Sequence, residues 1–267
     1  MTVRIFTSNV WADVFGNPVH PRDKLLAELV KKYSPDVICL QEMHPNWHKS
    51  DLKPCLSAMG YRESLPDLKG NPINFTPVFF RASRFAETDC GFLLYSGLND
   101  YQSKSVSYSL LTAADEDGRP FTVCAMSTHF YFAQDPQGEA ARLSNARELI
   151  DLIDSVKGAD AFFCGGDYNC DVHSKPFALL ASRGINSASL ADCPKTDFVR
   201  TDHKNPVYDA GGGLYIPAKM SDEPNDRSID HITCRGKARI VSYRVITDPE
   251  AGIISDHCPV LTDAEIM

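Results

Sequence analysis

The sequence has no excess of positive charge. Its 27 lysines and arginines are outnumbered by 35 aspartates and glutamates, which gives a net charge of −8 and a pI of about 5.5. Proteins that bind nucleic acid through general attraction to phosphates usually carry a basic excess. The composition therefore argues against that class of partner, but it allows a local basic site or a metal ion that supplies positive charge.

Long apolar runs, paired cysteines and a leader are also missing. No apolar stretch approaches the ~20 residues that a membrane-spanning helix needs, and the first ten residues do not resemble a signal peptide. None of the nine cysteines forms a CxxC pair, which argues against a zinc knuckle or a thioredoxin-type site. Cys39, Cys124 and Cys164 lie in apolar runs, as buried thiols do. We expect a reduced cytoplasmic protein with no obligate protein partner.

Internal repeats, heptads and linkers are absent too. A chain of 267 residues with 43% hydrophobic content has ample material for one core. We expect a single domain over residues 1–267.

Strand and helix patterns alternate along the chain. The periodicity predicts helices over 21–33, 46–59, 138–157 and 174–180. It predicts strands over 3–10, 36–42, 77–81, 86–95, 101–113, 121–132, 161–164, 229–232, 238–246 and 258–261. An acidic turn at 115–119 predicts a hairpin, and the polar segment 200–228 and the segment 249–255 are predicted as loops.

The segment 161–169 organises these patterns. Four apolar residues predict a strand buried on both faces, and Gly165 and Gly166 are expected to end it in a sharp turn. Asp167 and Asn169 follow. A carboxylate can take a proton from water, and a carboxamide can donate to a developing negative oxygen without titrating. The alternative is an ordinary turn, because Gly, Asp and Asn are common turn residues.

The same arrangement recurs elsewhere, since strand after strand ends in a carboxylate, an amide or an imidazole. These residues are Asn9, Glu42, His129, Asp167, Asn169, Asp230, His231, Asp256 and His257. Gathered at one edge, they would form an acidic pocket in which carboxylates repel one another, so a divalent cation is the natural occupant. Oxygen ligands favour Mg²⁺, or Mn²⁺, over zinc. Such a pocket suits the hydrolysis of phosphate esters.

Six short motifs together resemble those of a known family. Ser8-Asn9-Val10, Leu40-Gln41-Glu42, Ser127-Thr128-His129, Gly166-Asp167-Tyr168-Asn169, Ile229-Asp230-His231 and Ser255-Asp256-His257 occur in this order along nearly the whole chain. In order and spacing they resemble the endonuclease/exonuclease/phosphatase superfamily, and the strand 77–81 resembles its small bacterial members.

The resemblance implies a fold and a set of roles. The fold is an α/β class, four-layer α/β/β/α sandwich of two mixed sheets flanked by helices. Glu42 would be the main metal ligand, with Asn9 and Asp256 on or near the metal. Asp167 would activate water and Asn169 would hold a phosphate oxygen. Asp230 and His257 would form a pair at the scissile phosphate, and His129 would contact it near the leaving group.

The chain departs from the family pattern at several positions. Phe130-Tyr131-Phe132 follows His129 where many small members carry Asp-His, so these aromatics either stack on a base or sugar or pack ordinarily. His231 stands where Tyr is common and is a candidate substrate contact, and Asn74 stands where a Glu is often found. Arg81 is a candidate phosphate clamp or a solvated strand end. These departures concern the substrate.

The expected function is hydrolysis of a small or short phosphodiester or phosphomonoester by in-line attack of activated water. A nuclease of the apurinic-site or exonuclease kind is the enzymatic alternative, so nucleic acid is a possible but not favoured partner. A catalytically silent binding protein that kept the fold is the alternative of a different class.

Overall fold

The computed structural model describes residues 1–115 and 117–267. Its strands in chain order are β1 (Thr2–Asn9), β2 (Val37–Gln41), β3 (Tyr61–Glu63), β4 (Val78–Arg81), β5 (Ala86–Leu94), β6 (Ser105–Ala114), β7 (Pro120–His129), β8 (Ala161–Asp167), β9 (Asn186–Ser187), β10 (Lys195–Thr196), β11 (Val207–Asp209), β12 (Leu214–Ile216), β13 (Asp230–Gly236), β14 (Ala238–Val245) and β15 (Val260–Ile266). Its α-helices are α1 (Arg22–Tyr33), α2 (Pro45–Lys49), α3 (Leu52–Ala58), α4 (Pro136–Ser155), α5 (Lys175–Ser182) and α6 (Ala251–Ile254).

Two mixed sheets carry most of the strands. Sheet one has the order β10-β14-β15-β1-β2-β4-β3, and sheet two has the order β5-β6-β7-β8-β13-β9. Their facing sides share one apolar core, in which Ile5 and Phe80 of sheet one meet Phe163 and Ile232 of sheet two. The two sheets therefore pack face to face, as the resemblance implied.

Helices cover both outer faces. Leu26 of α1 and Leu52 of α3 pack with Ile38 on the outside of sheet one, and Leu149 of α4 packs with Cys164 on the outside of sheet two. The predicted four-layer α/β/β/α sandwich is confirmed. It follows from strands such as β8, whose alternate residues are buried on opposite faces.

The prediction that Gly165 and Gly166 end the central strand is wrong. β8 continues through both glycines to Asp167. A Cβ on Gly165 would lie 2.8 Å from the Thr7 Cβ and 3.0 Å from the Cys39 Cβ, so this glycine allows the two sheets to approach closely. The turn comes later, at Asn169, whose φ is 51°.

Other element boundaries differ from the predictions. The segment 46–59 is two helices, because the backbone is extended at Ser50. The predicted loop 200–228 contains the β11–β12 hairpin, anchored where the Tyr215 hydroxyl donates to the Pro18 carbonyl at 2.6 Å. The segment 249–255 contains α6, and the last strand extends to Ile266. The predicted hairpin turn at 115–119 includes Glu116, which lies outside the described residues.

None of the described helices has the length and apolar character required to cross a membrane.

Candidate active site

The inward-facing rows of the two sheets change from apolar to polar at one edge. In β1 the row is Val3, Ile5, Thr7, Asn9, and in β8 it is Ala161, Phe163, Gly165, Asp167. In sheet two, Asp167 is in register with His129 of β7 on one side and with Asp230 of β13 on the other. Since residues in register point the same way, His129, Asp167 and Asp230 lie side by side at the end of the core.

Asn9 connects the polar ends of the two sheets. Its Nδ2 donates to the Glu42 Oε1 at 3.1 Å and to the Asp167 Oδ2 at 3.0 Å, while its Oδ1 accepts from the Trp11 amide at 2.9 Å. The Asn9 side chain is almost fully buried. The Asn9 side-chain amide therefore bridges two carboxylates, Glu42 at the end of sheet one and Asp167 at the end of sheet two.

The backbone around this point is strained. Trp11, Glu42 and Asn169 have φ values of 57°, 60° and 51°. These values lie in the left-handed region, which residues other than glycine rarely occupy. Glu42 is held there because its Oε2 accepts from the Ala12 amide at 2.7 Å. Such strain persists only where surrounding structure enforces it, and it is concentrated at functional sites.

Asp230 and His257 form a buried ion pair. The His257 Nδ1 donates to the Asp230 Oδ2 at 2.8 Å, and the Thr201 hydroxyl donates to the same oxygen at 2.7 Å. Burial alone would lower the pKa of His257, but Asp230, Asp256 and Asp167 outweigh it and raise that pKa well above 6.5. The ring is thus an imidazolium. The Asp230 Oδ1 is buried with no hydrogen-bond partner among the described residues.

The Asp167 carboxyl has a strongly raised pKa. Burial first, and then the Asp230 charge, raises its pKa to about 7, although His257 and hydrogen bonds oppose the shift. A base is most effective when its pKa lies near the working pH. The Asn169 amide N–H donates to the Asp167 Oδ1 at 2.8 Å, but the Asn169 side-chain Nδ2 donates to the Phe130 carbonyl at 3.0 Å. In this arrangement Asn169 orients Asp167 through its backbone.

His129 lies between the two carboxylates of the Asn9 bridge. Its Nε2 is 3.5 Å from the Asp167 Oδ2 and 4.0 Å from the Glu42 Oε1. Burial, and then the positive charge of Lys104, lowers its pKa well below 6.5, so the ring is neutral. The two site histidines are therefore in different charge states.

Sequence reasoning missed Lys104 altogether. Its Nζ is 3.2 Å from the His129 Nε2, and the residue is only 4% exposed. Residues 101–104 were predicted as strand, and nothing in that pattern distinguished a buried Lys104 from a solvent-exposed one. The available signal was its position, as a lone lysine just before a run of serines and apolar residues.

The donor set fits a hard divalent cation. Burial would raise the pKa of Glu42, but the Lys104 charge and the hydrogen bonds from Ala12 and Asn9 oppose it, and the net effect is a lowered pKa. Burial raises the pKa of Asp256, and the Glu42 charge raises it further against the effect of His257. Two mutually repelling carboxylates are what Mg²⁺ binds and neutralises. Asp167, Asp230 and His257 also place one ligand atom each within 4.8 Å of one another, but His257 already donates to Asp230.

Two candidate substrate contacts lie away from this group. His231 follows Asp230 in β13, so its side chain points to the opposite face, where its ring centroid is 4.4 Å from that of Phe177. Burial lowers its pKa to about 4. Arg81 is the last residue of β4, which runs antiparallel to β2, so it lies at the opposite end of these strands from Glu42. Its Nη2 donates to the Tyr61 hydroxyl at 2.7 Å. Neither side chain therefore lies beside Asp167 or Glu42, where both were predicted.

Two other departures from the family pattern, Asn74 and Phe130, are buried side chains that pack inside the protein. Asn74 is buried, and its Oδ1 accepts from the Thr76 amide at 3.0 Å and from the Ser107 hydroxyl at 2.9 Å. Phe130 is fully buried, whereas Phe132 is 52% exposed. Of these aromatics, Phe132 has a large face available to a ligand.

Comparisons with known proteins agree with this fold. Protein angel homolog 2 of Danio rerio is 24% identical over 184 residues, which cover 66% of this chain and 31% of that protein. The chain thus spans about a third of the length of that curated relative. An endonuclease/exonuclease/phosphatase family protein from Bacteroides thetaiotaomicron superposes with a TM-score of 0.75 at 19% identity, covering 99% of this chain and 97% of that one.

A mannosyl-6-phosphatase from Bacteroides thetaiotaomicron VPI-5482 superposes with a TM-score of 0.70 at 18% identity, covering 99% of this chain and 100% of that one. At these identities the two structures establish the fold. The model of the Endonuclease/Exonuclease/phosphatase family matches residues 6–257, which is nearly the whole chain. The chain belongs to the endonuclease/exonuclease/phosphatase family.

Proposed function

We propose that residues 1–267 act as one domain, a divalent-metal-dependent phosphoesterase that uses activated water. Members of this family are generally hydrolases acting on phosphoester bonds, and they usually use a divalent metal. The observation that carries the proposal is the Asn9 bridge, because it holds the Glu42 and Asp167 carboxylates together from two sheets.

Each residue has a task in this proposal. Glu42 and Asp256, with Asn9 beside them, would hold Mg²⁺ or Mn²⁺, which supplies charge neutralisation at the phosphate. Asp167 takes the proton of the attacking water, since its pKa lies near 7. The His257 imidazolium, oriented by Asp230, donates to a phosphate oxygen as negative charge builds up in the transition state. Neutral His129 contacts the phosphate near the leaving group.

The surface beside the site favours a small or short substrate. A groove of about 800 Å³ adjoins Asn169 and contains Arg200 and Arg227. These arginines are already paired, Arg200 with Asp202 at 2.6 Å and Arg227 with Asp171 at 3.0 Å. With a net charge of −8, the protein offers little attraction to a long polyanion.

A substrate panel tests the proposal. Phosphomonoesters, short phosphodiesters, abasic duplex and single-stranded oligonucleotides would be incubated with Mg²⁺, with Mn²⁺ and with chelator. We expect metal-dependent release of phosphate or alcohol from a small ester, and a fall of about 10²–10⁴ in kcat/KM for Asp167→Asn, as for a lost general base.

The alternatives have their own outcomes in the same panel. Turnover confined to oligonucleotides would replace the small-ester proposal with a nuclease. Substrate binding without turnover in any metal would establish a silent binding protein. Equal activity of wild type and Asp167→Asn would refute the role given to Asp167.

A further inference from the structure

Lys104 is a buried cation that the roles described so far do not use. It is 4% exposed, and lysine is almost never this buried unless a partner compensates its charge. The nearest carboxylate oxygen is the Asp100 Oδ1, 3.5 Å from the Nζ, on a side chain that is itself 33% exposed. This contact is long for a charge-assisted hydrogen bond, so burial of the ammonium is only partly compensated.

The three N–H donors of the ammonium are not all satisfied by the protein. Its Nζ is 3.2 Å from the His129 Nε2 and 3.4 Å from the Nδ1. A neutral imidazole has only one acceptor nitrogen, so the ring accounts for one donor. The Asp100 Oδ1 accepts no hydrogen bond from the described residues, so its contact with the ammonium is an ion pair only. At least one donor of the ammonium therefore has no acceptor among the described residues.

The position of Lys104 is fixed by its backbone. The Lys104 amide donates to the Asn99 Oδ1 at 2.9 Å, and the Asn99 Nδ2 donates back to the Lys104 carbonyl at 2.8 Å. The Tyr95 amide donates to the same carbonyl at 3.1 Å. This closure of the loop 95–104 places the side chain before the substrate arrives, which is how electrostatic catalysis avoids reorganisation.

Lys104 lies one imidazole away from the proposed reaction centre. It contacts the ring of His129, and the Nε2 of that ring is 3.5 Å from the Asp167 Oδ2. The ring centroid of Phe132, a residue that is 52% exposed, lies 5.8 Å from the Nζ. The ammonium is therefore next to the ring that the proposed function places at the phosphate.

We propose that Lys104 is a catalytic residue whose ammonium donates to a non-bridging oxygen of the scissile phosphate. In this role the missing acceptor is a substrate oxygen, and the buried charge is compensated when the phosphate binds. Negative charge on these oxygens in the transition state is stabilised more strongly by a buried cation than by an exposed one. The inference rests on the proposed function, since it names another residue of the same site.

The test separates charge from positioning. Lys104→Met removes both the charge and the donor, whereas Lys104→Gln keeps an N–H donor for His129 and removes only the charge. Lys53→Met is the matched control, because Lys53 is also partly buried and paired with Glu63 at 2.7 Å, away from the site. Thermal unfolding of each variant confirms folding.

Inorganic phosphate is the probe, in Mg²⁺ buffer and measured by calorimetry. We expect both Lys104 variants to bind it about tenfold to a hundredfold more weakly, as for loss of a hydrogen bond to a charged group. On a substrate found in the panel, we expect kcat/KM to fall by about 10²–10³, with Lys53→Met unchanged in both assays. If wild type hydrolyses no ester, the proposed function fails, but phosphate binding still decides the role of Lys104.

Two results would overturn the inference. One is a folded Lys104→Gln that binds phosphate and turns over substrate as wild type does, since Lys104 would then only position His129. The other is a wild-type crystal structure with inorganic phosphate in the site and no phosphate oxygen within about 3 Å of the Nζ. The crystal structure needs no variant, so it decides the matter even if both substitutions prevent folding.

Discussion

Two of the three Asp-His dipeptides in this chain place their side chains in opposite ways. In Asp230-His231 the aspartate enters the site and the histidine enters the core behind sheet two. In Asp256-His257 the histidine reaches in to pair with the aspartate of the other dipeptide. The difference comes from the backbone, because residues 230 and 231 are in a strand, where neighbours point to opposite faces, and 256 and 257 are in a loop.

The electrostatics follow the same division. His231 is surrounded by aromatic rings and a backbone carbonyl, so burial lowers its pKa to about 4. His257 is surrounded by Asp230, Asp256 and Asp167, which raise its pKa well above 6.5 despite its burial. Identical dipeptides thus supply one neutral packing ring and one imidazolium. Substitutions in each dipeptide test this contrast.

The largest expected effect is that of His257→Ala on catalysis. Removing the imidazolium and leaving Asp230 unpaired in the site should lower kcat/KM by about 10²–10⁴. Steady-state kinetics on the best substrate of the panel measures this, with thermal unfolding as the control for folding. Wild-type activity in a folded His257→Ala protein would remove His257 from the mechanism.

His231→Ala should have the opposite profile. It removes a buried ring packed on Phe177 and a contact at 3.2 Å to the Cys170 carbonyl, so the free energy of unfolding should fall by about 2–4 kcal/mol. The kcat/KM per folded molecule should stay within about threefold of wild type, since the ring does not face the site. Denaturant titration and kinetics on the same sample measure both. A selective loss of activity would contradict the contrast.

Asp167 should give the wild type a pH dependence that Asp167→Asn lacks. In chelator, its folded-state pKa of about 7 exceeds its ordinary 3.8, so between these values the folded state holds an extra proton. Stability relative to Asp167→Asn must therefore fall as pH rises from 4.5 to 7, by on the order of 1–3 kcal/mol. Denaturant titrations across this window measure it, and parallel curves would contradict the pKa.

Arg81→Met should have the smallest effect. The substitution removes two hydrogen bonds, from the Arg81 Nη2 to the Tyr61 hydroxyl and to the Pro35 carbonyl, and a cation–π contact with the Tyr61 ring. Together these are worth about 1–2 kcal/mol at a partly exposed position. Activity and phosphate binding should not change, because the residue lies at the far edge of sheet one. Weakened phosphate binding in Arg81→Met would restore it as a substrate contact.

Most of the site was predictable from residue order and strand ends. Asn9, Glu42, His129 and Asp167 each end or follow an apolar strand, and parallel strands bring such ends to one edge. Asp230 begins β13, which runs antiparallel to β8, so it lies at the same edge beside Asp167, and His257 lies in the loop before β15. Arg81 also ends an apolar strand, but β4 runs antiparallel to β2, so its end lies at the other edge. Strand direction is a property of the assembled sheet and leaves no local mark in the sequence.

The remaining errors have a common origin in long-range packing. Gly165 was taken for a turn residue because glycine favours turns, but it is needed where Thr7 and Cys39 approach from the other sheet. The β11–β12 hairpin was missed because its strands are three residues long and are held by Tyr215 against Pro18. Local propensity cannot report a neighbour that is distant in the chain.

The sequence by itself determined the layered α/β class and the supply of carboxylates, amides and imidazoles, since hydrophobic periodicity and side-chain chemistry are local properties. Only the tertiary structure decided which of them meet, which histidine carries a charge, and that Lys104 lies beside His129. Those outcomes depend on strand register, strand direction and burial, and each of these arises only when segments far apart in the chain pack together.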